Sequence, residues 1–206
     1  MGPNDIDADI ALAIPFQGAT FFNPLNGDIT PACINKGKIH LTLRSGESII
    51  VQTKNEVSAL QCAATELQHT EKSYPLSGSW KLSFTEEAPR VGKSFALDKL
   101  QTWETLDDDS VKVTMGTGVY TTTLKLKKDD LKDAQSWQID LGDVRESARV
   151  YINGQFVGCA WAVPFVLNIK NNVLKSGKND IRTSPKSICH DCASLRSSFF
   201  SFRVVV

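Results

Sequence analysis

Apolar and polar residues alternate in short runs along most of the chain, the period of half-buried β-strands rather than of helices. Residues 38–43 and 48–53 alternate in this way. The cluster Arg44-Ser45-Gly46-Glu47 between them is rich in turn formers, so the two runs predict a hairpin. Upstream, Phe21-Phe22-Asn23-Pro24-Leu25-Asn26-Gly27-Asp28 has the same character, with Asn26-Gly27 as a strong turn signal. Residues 1–54 are thus β-rich, with too few strands for an independent sandwich; they read as the closing part of a sheet whose other strands lie elsewhere. In residues 55–77, Val57, Leu60, Ala64 and Leu67 fall near helical spacing. Ser73, Pro75 and Ser77 then break any regular element, so a short helix or an irregular linker is expected. Short strands follow at 79–84, 111–115, 119–126, 136–141, 148–152 and 165–169, the pattern of an all-β sandwich. Asn153-Gly154 predicts a two-residue hairpin between Tyr151 and Phe156, and Ser176-Gly177-Lys178-Asn179 a turn before Asp180-Ile181-Arg182.

From Ser184 the strand pattern stops. Serines and Pro185 interrupt it, and residues 199–206 are then strongly apolar, so this end packs on the domain, forms a strand, or reflects an altered reading frame. The expected organisation is a β-rich segment and linker (1–72), a β-sandwich (73–183) and an anomalous tail (184–206).

Charge narrows the choice of partners. The 206 residues carry 23 Lys plus Arg against 23 Asp plus Glu, so neither nucleic acid nor an anionic membrane is an expected partner. The apolar run 10–16 is far shorter than the ~20 residues of a spanning helix and contains Pro15. Asn4, Asp5, Asp7 and Asp9 make the start acidic, and no export signal is expected in the chain as given. Five cysteines, an odd number widely spread, argue against a disulfide framework. Cys189-His190-Asp191-Cys192 has two zinc-type thiols, but no second close pair supplies the remaining ligands, so neither a metal nor any other cofactor is expected.

The order of several pieces resembles a known family. Trp137-Gln138-Ile139-Asp140-Leu141-Gly142 comes after the aromatic strand entry at Tyr120. There follow Ala148-Arg149-Val150-Tyr151-Ile152-Asn153-Gly154-Gln155-Phe156-Val157-Gly158, Pro164-Phe165 and Leu174-Lys175-Ser176-Gly177-Lys178-Asn179. Together they resemble the sugar-binding, galactose-binding-like jelly-roll domain of glycoside hydrolase family two and its relatives. Gly78-Ser79-Trp80-Lys81-Leu82-Ser83-Phe84, Leu100-Gln101-Thr102-Trp103 and Gly116-Thr117-Gly118-Val119-Tyr120 look most like the α-L-rhamnosidase-type hydrolases of family one hundred and six. Asn23-Pro24-Leu25-Asn26-Gly27 and Leu43-Arg44-Ser45-Gly46-Glu47-Ser48 are similar to the β segment before that domain, so the resemblance spans roughly residues 20–183. It implies a jelly-roll preceded by a smaller β-rich segment, a periplasmic or extracellular setting, and two partners: a plant or bacterial glycan and the catalytic domain of a parent hydrolase.

The residues themselves supply no catalytic pair. A glycosidase holds two carboxyls ~5–9.5 Å apart, and no motif here pairs two acids. Asp107-Asp108-Asp109 reads as a solvated loop, and Asp140 as the cap of a turn. His40, His69 and His190 have no nucleophile elbow near them. Sugar recognition instead uses aromatic faces with amides and charges at the rim. Trp103 and Trp161, at strand margins with polar neighbours, are the candidate platforms, with a core position as the stronger alternative because large aromatics dominate sandwich cores, whereas Trp80 and Trp137 are expected in the core. Arg149 and Asn153 are the candidate polar contacts; each also has a structural reading, as a surface strand residue and a turn residue. Two functions remain open: a non-catalytic carbohydrate-binding or structural accessory domain of a glycoside hydrolase, and a protein-interaction sandwich without sugar affinity.

Overall fold

The computed structural model describes residues 4–56, 72–76, 78–133, 137–142, 144, 147–170, 172–187 and 203–205. The chain divides into two compact units, Met1–Gln68 and His69–Val206.

The first unit holds β1 (Ile6–Ala11), β2 (Gly18–Phe22), β3 (Ile29–Pro31), β4 (Ile34–Asn35), β5 (Lys38–Leu43) and β6 (Ile50–Lys54). They form two three-stranded sheets, ordered β1-β5-β4 and β3-β2-β6. The six strands pair among themselves in these two sheets. The Asn26-Gly27 turn forms as expected: the Asn23 amide donates to Asp28 O at 2.9 Å, and Phe22 pairs with Ile29. The hairpin expected of 38–43 and 48–53 does not. Its turn closes, with Glu47 N donating to Arg44 O at 2.9 Å, yet β5 pairs with β1 from Ile6↔Leu43 to Ala11↔Lys38 while β6 pairs with β2. Alternation states which face a strand buries; it does not state its neighbour, and here the turn carries the chain from one sheet to the other. Ala19, Ala32 and Ile39 form the small core, with Leu12, Phe16, Phe21 and Val51 packed on it. Cys33 is disulfide-bonded, a bridge not anticipated by the reading against a disulfide framework, and Cys159 is free.

The second unit contains β7 (Ser73–Pro75), β8 (Trp80–Ala88), β9 (Phe95–Leu97), β10 (Met115–Leu126), β11 (Trp137–Asp140), β12 (Ser147–Ile152), β13 (Gln155–Ala160), β14 (Val166–Ile169), β15 (Gly177–Ser187) and β16 (Arg203–Val205). A six-stranded sheet ordered β13-β12-β15-β10-β8-β9 and a four-stranded sheet ordered β14-β11-β16-β7 make the all-β sandwich that the patterning predicted. One core includes residues of both: Trp80, Leu82, Tyr120, Val150 and Ile181 from the first, Trp137, Ile139 and Ile169 from the second. Trp80 and Trp137 are therefore core residues, as expected. At Gly158, a Cβ would lie 3.3 Å from Leu167 Cδ2 of β14, which marks where the two sheets approach closely.

Three local readings change, and the tail takes one of the forms expected of it. Residues 111–115 do not start a strand: Asp108 caps a one-turn helix, α1 (Asp109–Lys112), by accepting from Ser110 N at 3.1 Å, and β10 begins at Met115. The cap competes successfully with a short apolar alternation. Residues 73–75, read as breakers, form β7 against β16. β15 does not stop at Ser184 but runs to Ser187. Pro185 lacks a ladder donor, and the pairing with β10 lapses between Tyr120↔Thr183 and Thr117↔Lys186, where it would fall. In the tail, β16 is a strand between β11 and β7. The helix or linker expected around Val57–Leu67 and the Cys189/Cys192 pair lie outside the described residues.

Candidate functional site

The hairpin β12–β13 places two of the predicted contact residues together. Its turn is Asn153-Gly154, both at positive φ (52° and 81°), the two-residue connection that the sequence predicts. Its ladder closes at Ala148↔Ala160, with Arg149↔Cys159 the pair before. Ala148 and Val150 point into the core, so Arg149 between them is exposed. Trp161 leaves the strand one residue beyond the last pair and is 55% exposed. Its loop is anchored on both sides, by buried Ala160 and by buried Phe165, whose carbonyl accepts from Leu141 N at 3.0 Å. The indole is thus presented to solvent from a fixed frame, at the end of the hairpin where exposed Arg149 pairs with Cys159, two residues before it.

The other two predicted contacts lie elsewhere. Trp103 is 9% exposed: it stacks on Tyr120 (centroids 6.5 Å, 22°) and meets Phe84 edge-on (5.6 Å, 73°), so it is a core residue and not an open platform. Asn153 stands at the far end of the hairpin from Trp161, about 20 Å away along the six residues of β13. Its side chain is engaged within the fold: Nδ2 donates to Val173 O and Asn179 Oδ1, both at 2.9 Å, and Oδ1 accepts from Asp180 N at 3.1 Å.

Residues that sequence reasoning missed extend the exposed surface across the sheet. Tyr151 pairs with Phe156 on β13 and with Arg182 on β15; Arg182 pairs with Thr121 on β10, and Thr121 with Lys81 on β8. The Tyr151 and Phe156 rings lie 5.3 Å apart, and the Arg182 guanidinium lies 4.8 Å over the Tyr151 ring. Phe156 is 53% exposed. Alternation around Val150 and Ile181 would have turned Tyr151 and Arg182 outward; their adjacency depends on strand order.

Asp108, Asp130 and Asp140 of this unit are tied up structurally. Lys93 and Ser110 hold Asp108 down to about 2, and Lys72 and the Lys127 amide hold Asp130 down to about 2. Asp140 caps its turn as expected, accepting from Gly142 N at 2.9 Å. Burial pushes the Glu104 carboxyl up, and burial together with the Glu104 charge pushes the Tyr120 phenol up; that phenol donates to Gln101 O at 3.0 Å. Among the described residues no group of three or more His, Cys, Asp or Glu could hold a metal ion.

Comparison with known proteins places this arrangement. A rhamnosidase from Novosphingobium sp. PP1Y superposes with a TM-score of 0.73 over 98% of this chain and 21% of its own, at 21% identity. The chain has the fold of a segment of a rhamnosidase. A Formosa agariphila protein named "Putative beta-glucuronidase" is 30% identical over 152 residues, 71% of this chain and 13% of that protein. The resemblance to glycoside hydrolases expected from residues 20–183 is thus present in sequence and in fold. No protein-family model matches the chain. The chain spans about one fifth of the rhamnosidase and about one eighth of the curated relative.

Proposed function

We propose that this chain acts as a non-catalytic accessory domain of a longer glycoside hydrolase and contacts carbohydrate through the exposed edge of the β12–β13 hairpin. The observation that carries the reading is Trp161, a large aromatic held in solvent by buried residues on either side, with Arg149 exposed on the paired strand. An aromatic face packs against the C–H face of a pyranose and an adjacent guanidinium donates to its oxygens. The similarity to a curated β-glucuronidase-named protein and the fold shared with a rhamnosidase support carbohydrate as the ligand class. The test is calorimetric or array screening of the intact chain against plant and bacterial glycans. Trp161→Ala should weaken binding about tenfold, the loss of ~1.4 kcal/mol, with the unfolding midpoint unchanged. Binding untouched by this substitution would remove the edge from the proposal.

A purely structural role has its own observation. In the first unit, Ile29 of β3 and Ile50 of β6 flank Phe22 of β2 in one row, and are 63% and 59% exposed. Such a row fits burial against another protein surface, which would make the chain a brace or an interaction module. No glycan binding at millimolar concentration would leave this reading.

A further inference from the structure

We infer that the outer face of the six-stranded sheet is a docking surface for an anionic polysaccharide, one bearing carboxylate or sulfate groups. The inference rests on the carbohydrate reading above and specifies the ligand's charge and its path. The row Phe156, Tyr151, Arg182, Thr121, Lys81 crosses five adjacent strands. Four inter-strand gaps make it ~19 Å long, the reach of an oligomer rather than of one sugar. Its composition changes along that length. Two touching rings lie at the β13 end and a lysine at the β8 end, with Arg182 held over Tyr151 between them.

The charge of the face is what selects the ligand. The chain as a whole is neutral, yet Arg149, Arg182, Lys81, Lys125 and Lys178 all emerge here, and all are exposed. Across the rows from Cys159↔Arg149 to Lys125↔Lys178, Asp180 is the sole acid among the described residues, and it lies 3.7 Å from Lys178. Five cations against one paired carboxylate form a local positive field that a neutral glycan would not use. The two arginines give it geometry. A guanidinium presents a planar fork that matches carboxylate or sulfate oxygens, and resting Arg182 on a ring fixes its plane before any ligand arrives. The exposed rings supply the apolar surface on which the sugar backbone lies. Nucleic acid and acidic protein share the charge but not this reading, and they enter as test outcomes.

The experiment is affinity electrophoresis and calorimetry of the intact chain with polygalacturonate, a sulfated galactan, neutral dextran and amylose, polyglutamate and an oligothymidylate. The expected result is binding to one or both anionic glycans, weakening as salt rises from 50 to 500 mM. Arg149→Gln/Arg182→Gln should reduce it at least tenfold and Phe156→Ala about threefold. Arg182→Lys, which keeps charge and loses the fork, should fall between wild type and the double variant. All the altered side chains are exposed, so the circular dichroism melts should coincide. Equal binding to polyglutamate or to the oligothymidylate would overturn the inference, as would anionic-glycan binding insensitive to the arginines. Binding of neutral glycans alone would overturn it while leaving the carbohydrate reading intact, and binding of no glycan would remove both.

Discussion

Asn179 is fully buried, and its amide is saturated by the loop around it. Oδ1 accepts from Lys175 N and from Asn153 Nδ2, both at 2.9 Å, and Nδ2 donates to Lys175 O at 2.7 Å. Asn179→Ala would orphan buried groups that cannot regain water, so it should cost about 2–3 kcal/mol in urea denaturation. Gly118 is a second position where one atom decides. A Cβ there would lie 2.4 Å from Trp103 Cζ3, so Gly118→Ala must push the indole out of its stack on Tyr120. The expected cost is about 1–3 kcal/mol, with a red shift of tryptophan emission as the ring moves. Neither role could be read from sequence alone. The Asn153-Gly154 turn was legible because a two-residue hairpin is local chemistry. The bond from Asn153 to Asn179 was not, because it joins side chains 26 residues apart. The same separation explains why Asn153 looked available as a sugar contact.

At the scale of elements, charge pairs tie short helices to the sheets. Asp130 is the third residue of α2 (Lys128–Asp133); its Oδ2 accepts from Lys127 N at 2.8 Å, half of a capping box, while its Oδ1 meets Lys72 Nζ at 2.5 Å, just before β7. Asp108 likewise caps α1 and pairs with Lys93. Both carboxyls sit near 2 when folded, against about 3.8 unfolded, so the native state binds fewer protons in that window. Their contribution is complete above roughly pH 5 and is lost as pH falls through 2. Urea midpoints measured from pH 2 to 6 should therefore fall on the acid side, and Asp130→Asn should flatten part of that slope. Lys72→Met should do the same, because it removes the partner that depresses Asp130 most. The strands these helices join were mostly legible: β8, β10, β11, β12 and β14 each bury one face and keep a period of two. What alternation left open was partnership. β5 and β6, adjacent in sequence, joined different sheets, and β16 entered its sheet from a tail without pattern. Of the candidate edge, Trp161 and Arg149 could be singled out one by one from the sequence, whereas the row through Arg182 and Lys81 needs five strands in register.

The whole molecule distributes its chemistry unevenly. A neutral chain gathers five cations on one sheet face, while Asp108, Asp130 and Asp140 cap helices and a turn. Hydrolysis of a glycoside would need the opposite, two carboxyls converging at ~5–9.5 Å with their pKa values driven apart. Asp108 and Asp130 are both driven down, each by its own lysine, so neither is held protonated to serve as an acid. Glu104 is pushed up, but its neighbour is the phenol of Tyr120, which donates to a backbone carbonyl inside the sandwich. The resemblance to glycoside hydrolases implies catalytic carboxylates on a separate barrel, which takes ~250 residues of alternating strand and helix. The described residues are instead antiparallel strands with two α-helices of four and six residues and one 3-10 turn at Trp103–Thr105. The intact chain should accordingly leave nitrophenyl α-L-rhamnoside, β-galactoside and β-glucuronide unhydrolysed at high protein concentration over a day. Glu104→Gln is the informative control, since Glu104 is the carboxyl that burial pushes up among the described residues. Turnover that follows the protein through purification and vanishes in that variant would make the chain an enzyme and relocate its site to the Trp103–Thr105 turn.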